Sequence, residues 1–368
     1  MRLGLSVDAI APELTGIGRY SLELARRLPS HPDIRSLTFF RGREPVRNVE
    51  RLLLGMEQKR QPRFIRQWAE RSARRRVDLV HGPNYFLPDW AELGVVTVHD
   101  LSVFHYPELH PVERVTAFER DLRRSVDKAA HVITDCDTIR REVIEFTGFG
   151  ADRVSAVPLG VSAAFRPLAL EQRASVIERY RLPQTGYGLT VSSLEPRKRI
   201  DRLLAAWRKL PRPLRDRYPL VIAGARGWDN ERLHADIQDG VNEGWAIALG
   251  FVPENDLPAL YSGASLFIFP SVYEGFGLPP LEAMASGVPT LVAAGSCLEE
   301  VTKGAALLAD PDDDEEFGAA IVRALEDGSW RERAISSGVQ VAKDYTWERC
   351  VDETVGVYQR VMGGATGR

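Results

Sequence analysis

Residues 266 to 287 read Leu-Phe-Ile-Phe-Pro-Ser-Val-Tyr-Glu-Gly-Phe-Gly-Leu-Pro-Pro-Leu-Glu-Ala-Met-Ala-Ser-Gly. The opening apolar run is short and uncharged, as a buried strand is. Pro279 and Pro280 mark a helix start, and Gly287 stands past its end. Between strand and helix lies a loop in which Gly275 and Gly277 let backbone come close to a ligand, with Glu274 at its mouth and Glu282 about one turn into the helix. Such a loop presents the N–H groups of Phe276, Gly277 and Leu278 at a helix N-terminus, where the peptide dipole favours an anion. Carboxylates suit hydroxyls rather than phosphate. The expected ligand carries both phosphate and polyol, as a nucleotide-sugar does.

Outward from this stretch, short apolar strands alternate with helical patterns along the whole chain, the mark of a parallel α/β architecture. Strands are expected at Leu3–Val7, Leu37–Phe40, Leu79–His81, Val95–Val98, His131–Thr134 and Val154–Val157. A second set is expected at Leu189–Ser192, Leu220–Ala223, Ala246–Leu249, Leu266–Phe269, Thr290–Val292 and Ala306–Leu308. Six strands in each half predict two Rossmann-like domains, and 368 residues exceed one core of ordinary size. The glycine- and proline-containing stretch 158–167 is the expected joint. The boundaries so read are 1–165, 166–346, and a helical segment from 347 with a frayed tail to 368.

Hydrophobic content of 44% and charged content of 27% are those of a globular protein. No apolar run approaches the ~18 residues of a spanning helix, and the quickly charged N-terminus reads as a strand rather than a signal peptide, so a cytoplasmic location is expected. Cys136, Cys297 and Cys350 lack metal-ligand or redox spacing and read as buried or incidental thiols. The 7 histidines form no metal-binding pattern. From Arg41 to Arg76 there are twelve Lys/Arg against four Asp/Glu, an excess of eight positive charges, interleaved with Leu52, Leu53, Leu54, Phe64, Ile65 and Trp68. This reads either as a solvated face or as a patch for anionic lipid on the inner face of a membrane or for a pyrophosphate-linked acceptor. No nucleic-acid recognition motif accompanies the charge.

Ligands of open parallel sheets bind beyond the carboxyl ends of the strands, and chemistry-bearing residues recur there. Thr15-Gly-Ile-Gly-Arg-Tyr20 follows the first strand; it fails as a dinucleotide fingerprint, since Ser21 takes the third glycine position, but fits a close-approach loop through Gly16 and Gly18. That failure counts against a nicotinamide-dependent oxidoreductase. His99 and Asp100 end a buried strand, whereas His81 reads as structural. Val191-Ser-Ser-Leu-Glu-Pro-Arg-Lys-Arg199 leaves the first strand of the second half, and its Arg197 and Lys198 are placed to stabilise negative charge on a departing phosphate. Ala223-Gly-Ala-Arg-Gly-Trp228 supplies another glycine pair, with Arg226 as a further cation.

The segment Glu-Gly-Phe-Gly-Leu-Pro-Pro-Leu-Glu, with seven residues between its glutamates, resembles the signature of the retaining glycosyltransferases of family 4, which have the GT-B fold. The stretch 192–199 resembles that family's Gly-Thr-Leu-Glu-Pro-Arg-Lys-Asn, departing at Ser192 and Arg199; other branches have arginine where Ser193 stands. The resemblance implies two Rossmann-like domains facing a central cleft, nucleotide on the second and acceptor on the first, with the last helix crossing back to the first domain. It implies that Gly16 and Gly18 contact donor phosphate or acceptor, that His99 contacts the transferred sugar, and that Asp100 orients its loop. On the second domain it assigns Glu282 to the ribose, Glu274 to the donor sugar, Ser193 to the phosphate-facing loop, and Phe251 and Val252 to the base edge. Protein cations would replace a metal, no cofactor is expected, and configuration at the sugar would be retained. Residues from Val96 through the helix beginning near Val112 look like those of bacterial mannosyltransferases that build surface polysaccharide from GDP-mannose. The expected activity is thus transfer of mannose to a saccharide or polyprenyl-pyrophosphate-linked saccharide; a UDP- or dTDP-sugar donor and a GT-B epimerase remain alternatives.

Overall fold

In the computed structural model, residues 1–56, 64, 71–225, 227 and 231–366 are described. The chain divides into two compact units, Met1–Gly160 with Trp347–Arg368, and Val161–Thr346.

The first unit contains β1 (Arg2–Ser6), β2 (Ser36–Arg41), β3 (Glu44–Val46), β4 (Leu79–Gly82), β5 (Gly94–Thr97), β6 (His131–Thr134) and β7 (Val154–Ala156). They form one sheet in the order β3-β2-β1-β4-β5-β6-β7, parallel except for β3. That edge strand is the one the sequence reading omits. Charged and proline-containing, it has no apolar run, and pairs with β2 through a two-residue turn at Gly42-Arg43. Every residue of β4, β5 and β6 is buried, as expected where helices cover both faces of a parallel sheet.

The second unit contains β8 (Gly188–Val191), β9 (Leu220–Ala223), β10 (Ala246–Gly250), β11 (Leu266–Phe269), β12 (Thr290–Ala293) and β13 (Leu307–Ala309), ordered β10-β9-β8-β11-β12-β13 and all parallel. Alternate residues of β9 and β11 enter two cores. Leu220, Ile222, Leu266 and Ile268 pack with Trp207 and Phe317 of the helices Ile200–Lys209 and Asp314–Glu326. Val221, Ala223, Phe267 and Phe269 pack with Tyr261 and Ala283 on the other face. This period of two, applied to strands apolar throughout, is how a buried parallel sheet binds helices to both sides.

The strand order dictates where a ligand binds. The chain runs outward from β8 to β10, then returns to the other side of β8 at β11, so the topological switch lies between β8 and β11. Their carboxyl-end loops diverge there and leave a crevice. In the first unit the same reversal falls between β1 and β4.

The helix Trp347–Thr366 belongs to the first unit. Its buried Tyr358 hydroxyl lies 2.6 Å from His81 Nδ1, while His81 Nε2 lies 2.8 Å from Thr97 Oγ1, itself 3.1 Å from the Tyr20 hydroxyl. Burial, and then the charge on nearby His99, lower the pKa of His81 to about 3, so it is a neutral packing group. The helix runs past Gly363 to Thr366, no proline interrupting its backbone ladder.

Candidate active site

At the switch point of the second unit, the loop after β8 tightens into a short 3₁₀ turn, Pro196–Lys198, that delivers Arg197 and Lys198. The loop after β11 delivers Glu274. All three side chains are largely withdrawn from solvent, and the Lys198 ammonium binds the Glu274 carboxylate directly. Arg197 Nη1 is 3.3 Å from the same carboxylate oxygen and donates to the Tyr273 carbonyl at 2.8 Å. Glu195 lies 3.4 Å from Arg197 Nε and accepts from Ser193 Oγ at 2.7 Å. Ser193 therefore braces the turn through Glu195. Burial alone would raise the Glu274 pKa, but Lys198 and then Arg197 outweigh it and hold the carboxyl below its ordinary value. Burial, reinforced by Arg197, pulls Lys198 down against the opposing effect of Glu274. Glu274, at the loop mouth, is thus the counter-ion of the two cations.

After Glu274 the chain turns at Gly277 (φ 101°), the N-cap residue of the helix Leu278–Ala285. A side chain here would be strained, and its Cβ would fall 2.4 Å from Leu298. Pro279 and Pro280 occupy the first turn and supply no N–H, and Leu281 N–H donates back to Gly277 at 3.4 Å. Among the described residues, the N–H groups of Phe276, Gly277 and Leu278 meet no protein acceptor, so the donors left to a ligand are those of the loop rather than of the whole first turn. Glu282 is buried on the same helix, and Gly275 lies between Glu274 and Phe276.

The β10 exit separates its two expected residues. Val252 is buried in the core beside Phe269, whereas Phe251 is 48% exposed; the side chain of Val252 serves packing. Arg226 lies outside the described residues.

In the first unit, His99 follows β5 and is buried. Its Nδ1 is 2.7 Å from Asp135 Oδ2 and its Nε2 2.8 Å from the Pro83 carbonyl. A carboxylate and a carbonyl are both acceptors, so this pairing favours hydrogen on both ring nitrogens, the imidazolium form. Burial pushes its pKa down, but Asp135, Pro83 and Asp100 together outweigh that and set it above the ordinary value. Burial raises Asp135 against the pull of His99, so the pair holds its proton more firmly than a free histidine. Edge-on contacts from Tyr20 (5.2 Å) and Tyr85 (5.5 Å) fix the ring plane. In this arrangement its polar atoms face protein rather than a substrate. Asp100 Oδ1 accepts from Ser102 N–H at 2.9 Å and Asp100 N–H donates to the Tyr85 hydroxyl at 3.2 Å, closing its loop locally.

Gly16 opens the helix Gly16–Arg27 with Thr15 as N-cap, and Thr15 Oγ1 accepts from Gly18 N–H at 3.2 Å. A Cβ on Gly18 would meet the Ala9 carbonyl oxygen at 2.8 Å, so this glycine permits the loop to fold against its own helix. Within the basic stretch, Leu52 is buried, Leu54 and Phe64 are each 72% exposed, and Arg41, Arg43, Arg47, Arg51, Arg71, Arg75 and Arg76 are exposed; Ile65 and Trp68 lie outside the described residues.

Sequence reasoning missed Asp135, Glu195 and Cys297. Asp135 directly follows β6, the strand-end position that singled out His99, and was legible on that ground. Among the described residues no group of three or more His, Cys, Asp and Glu side chains could hold a metal, and no helix is long and apolar enough to cross a membrane.

Comparisons with known proteins agree with this architecture. Residues 182–341 match the family described as glycosyl transferases group 1, and residues 14–165 match glycosyltransferase family 4. The chain is 38% identical to O-antigen chain mannosyltransferase B of Escherichia coli over 379 aligned positions, covering 98% of this chain and 100% of the relative. Among solved structures, sucrose-phosphate synthase from Thermosynechococcus elongatus superposes with a TM-score of 0.76 at 20% identity, covering 99% of this chain and 100% of that one. WaaG, a glycosyltransferase involved in lipopolysaccharide biosynthesis, gives 0.70 at 16% identity over 95% and 98% of the respective chains. The chain belongs to the family 4 glycosyltransferases, and its fold class is GT-B.

The His99 geometry predicts ring ¹⁵N shifts of an imidazolium at and somewhat above pH 6.5. Because the folded pKa is raised, the stabilisation is complete below the unfolded value of ~6.5 and is lost as pH rises through the folded one. Asp135→Asn is expected to return the ring to a neutral form near pH 6.5, read by NMR; a neutral wild-type ring at that pH would contradict the geometry.

Proposed function

We propose that this protein is a retaining mannosyltransferase that moves mannose from GDP-mannose to a saccharide or polyprenyl-pyrophosphate-linked saccharide in the synthesis of O-antigen-type surface polysaccharide. The observation that carries the chemistry is the buried Lys198–Glu274–Arg197 cluster at the switch point between β8 and β11. The near full-length likeness to a protein named O-antigen chain mannosyltransferase supports the choice of sugar and pathway.

In this reading the donor diphosphate lies at the loop N–H groups of Phe276, Gly277 and Leu278, with Lys198 and Arg197 at the β-phosphate. As the bond between the sugar's anomeric carbon and the phosphate oxygen breaks, negative charge grows on that oxygen. Two cations already oriented by Glu274 stabilise it without reorganising at the moment of reaction. The acceptor oxygen bonds to the anomeric carbon on the face the phosphate leaves, its proton passes to the departing phosphate oxygen, and GDP is released. Protein cations do the work that a metal does elsewhere, and no cofactor takes part. Glu282 takes the ribose hydroxyls. Glu274 would also meet the donor sugar.

The reading also sends the protein from the cytoplasm to the inner face of an anionic membrane through the basic 41–76 region. Exposed Leu54 and Phe64 would insert among lipids while the surrounding arginines meet headgroups. Co-sedimentation with anionic vesicles at low salt is expected, falling when Arg75 and Arg76 become Glu; equal sedimentation of the variant would contradict this contact.

Incubation with GDP-mannose and a lipid-linked saccharide acceptor is expected to yield an α-mannoside, identified from its one-bond carbon–hydrogen coupling, with UDP-glucose and dTDP-sugars poor donors. A β-mannoside would overturn retention, and equal use of a UDP-sugar would overturn the choice of donor.

A further inference from the structure

The side chains of loop 273–278 are anchored by the Glu274 ion pairs and the packing of Phe276 on Tyr345, and its carbonyls are tethered from outside as well. The Tyr273 carbonyl accepts from Arg197 at 2.8 Å. Cys297, at the start of the helix Cys297–Thr302 that follows β12, is buried, and its Sγ lies 2.9 Å from the Glu274 carbonyl and 3.7 Å from that of Phe276. The thiol reaches back across 23 residues to the backbone of the glutamate that pairs with Lys198.

Among the described residues the peptide bonds are all trans. In a trans peptide the carbonyl of one residue and the N–H of the next point in opposite directions. Turning the Glu274 and Phe276 carbonyls toward Cys297 therefore turns the N–H groups of Gly275 and Gly277 away from it. The Gly277 N–H is one of the loop donors that no protein group accepts. Cys297 thus stands behind the loop and sets the direction in which its donors face.

We infer that Cys297 is a positioning residue for the donor site, acting through the Glu274 and Phe276 carbonyls to aim the loop N–H groups at the ligand. This rests on the reading that loop 273–278 holds the donor's diphosphate or sugar. A hydroxyl can make the same hydrogen bonds as the thiol; a methyl group cannot.

Cys297→Ala and Cys297→Ser, compared with wild type, test this through two readouts. Selective ¹⁵N-glycine labelling reports the Gly275 and Gly277 amides without any ligand. Both are expected to shift in Cys297→Ala and to stay near wild type in Cys297→Ser. With GDP-mannose, Cys297→Ala is expected to raise the donor KM roughly three- to tenfold, the scale of one lost neutral hydrogen bond, with a smaller change in kcat; Cys297→Ser should restore most of it. Unchanged amides and KM in Cys297→Ala would overturn the proposal, as would a Cys297→Ser variant as impaired as Cys297→Ala. Should Cys297→Ala not fold, Cys297→Ser still decides, since displaced amides in that variant count against the tether and preserved ones support it. If wild type uses no GDP-mannose, the donor reading fails, while the amide shifts still decide whether Cys297 orients the loop.

Discussion

The ion pair between Lys198 and Glu274 is the constraint on which the second unit's site depends. Neither group can be buried charged alone, because removing water from one ion costs several kcal/mol that only a well-placed partner returns. The partners come from loops after different strands, and those strands, β8 and β11, are neighbours only because the sheet order reverses between them. The pair therefore locks the two loops at the one place in the sheet where they diverge. Arg197 reinforces the lock by binding the same carboxylate and the Tyr273 carbonyl, and Cys297 holds the backbone on the far side. The cluster also keeps cationic nitrogens fixed where solvent is scarce, which is where a developing phosphate charge gains most from them.

The first unit solves a comparable problem with histidines. His81 is buried neutral between hydroxyls of Thr97 and Tyr358 and ties the C-terminal helix to the sheet. His99 is buried charged between Asp135 and the Pro83 carbonyl. Nearby rings of one residue type are thus shifted in opposite directions, His81 down and His99 up, one meeting hydroxyls, which accept or donate, and the other a carboxyl and a carbonyl.

Much of this was readable before any coordinates. Strands such as Leu266–Phe269 announce themselves because both faces are buried and every position must be apolar. β3 does not, because an edge hairpin of Glu, Pro and Val obeys turn geometry rather than burial. The loop glutamates and cations were recognisable as a chemical set, but their pairing was not: Glu274 and Lys198 are 76 residues apart, and only strand order makes them neighbours. The core position of the Val252 side chain leaves only its backbone for a ligand, and Cys297, read as a buried or incidental thiol, is buried and also reaches the Glu274 backbone. Arg199 adopts the αL conformation (φ 50°), which asparagine tolerates more readily than arginine, so the backbone accounts for the motif's asparagine and not for the departure from it.

The most direct test of the central claim compares the affinities of GDP and GMP by calorimetry in wild type and in Lys198→Met, in which Glu274 still has Arg197 beside it. If Lys198 stands at the β-phosphate, wild type should prefer GDP by a factor of roughly 10 to 100, the worth of a charge-assisted contact, and the variant should lose most of that preference while its GMP affinity hardly changes. An unchanged GDP-to-GMP ratio in Lys198→Met would contradict the account.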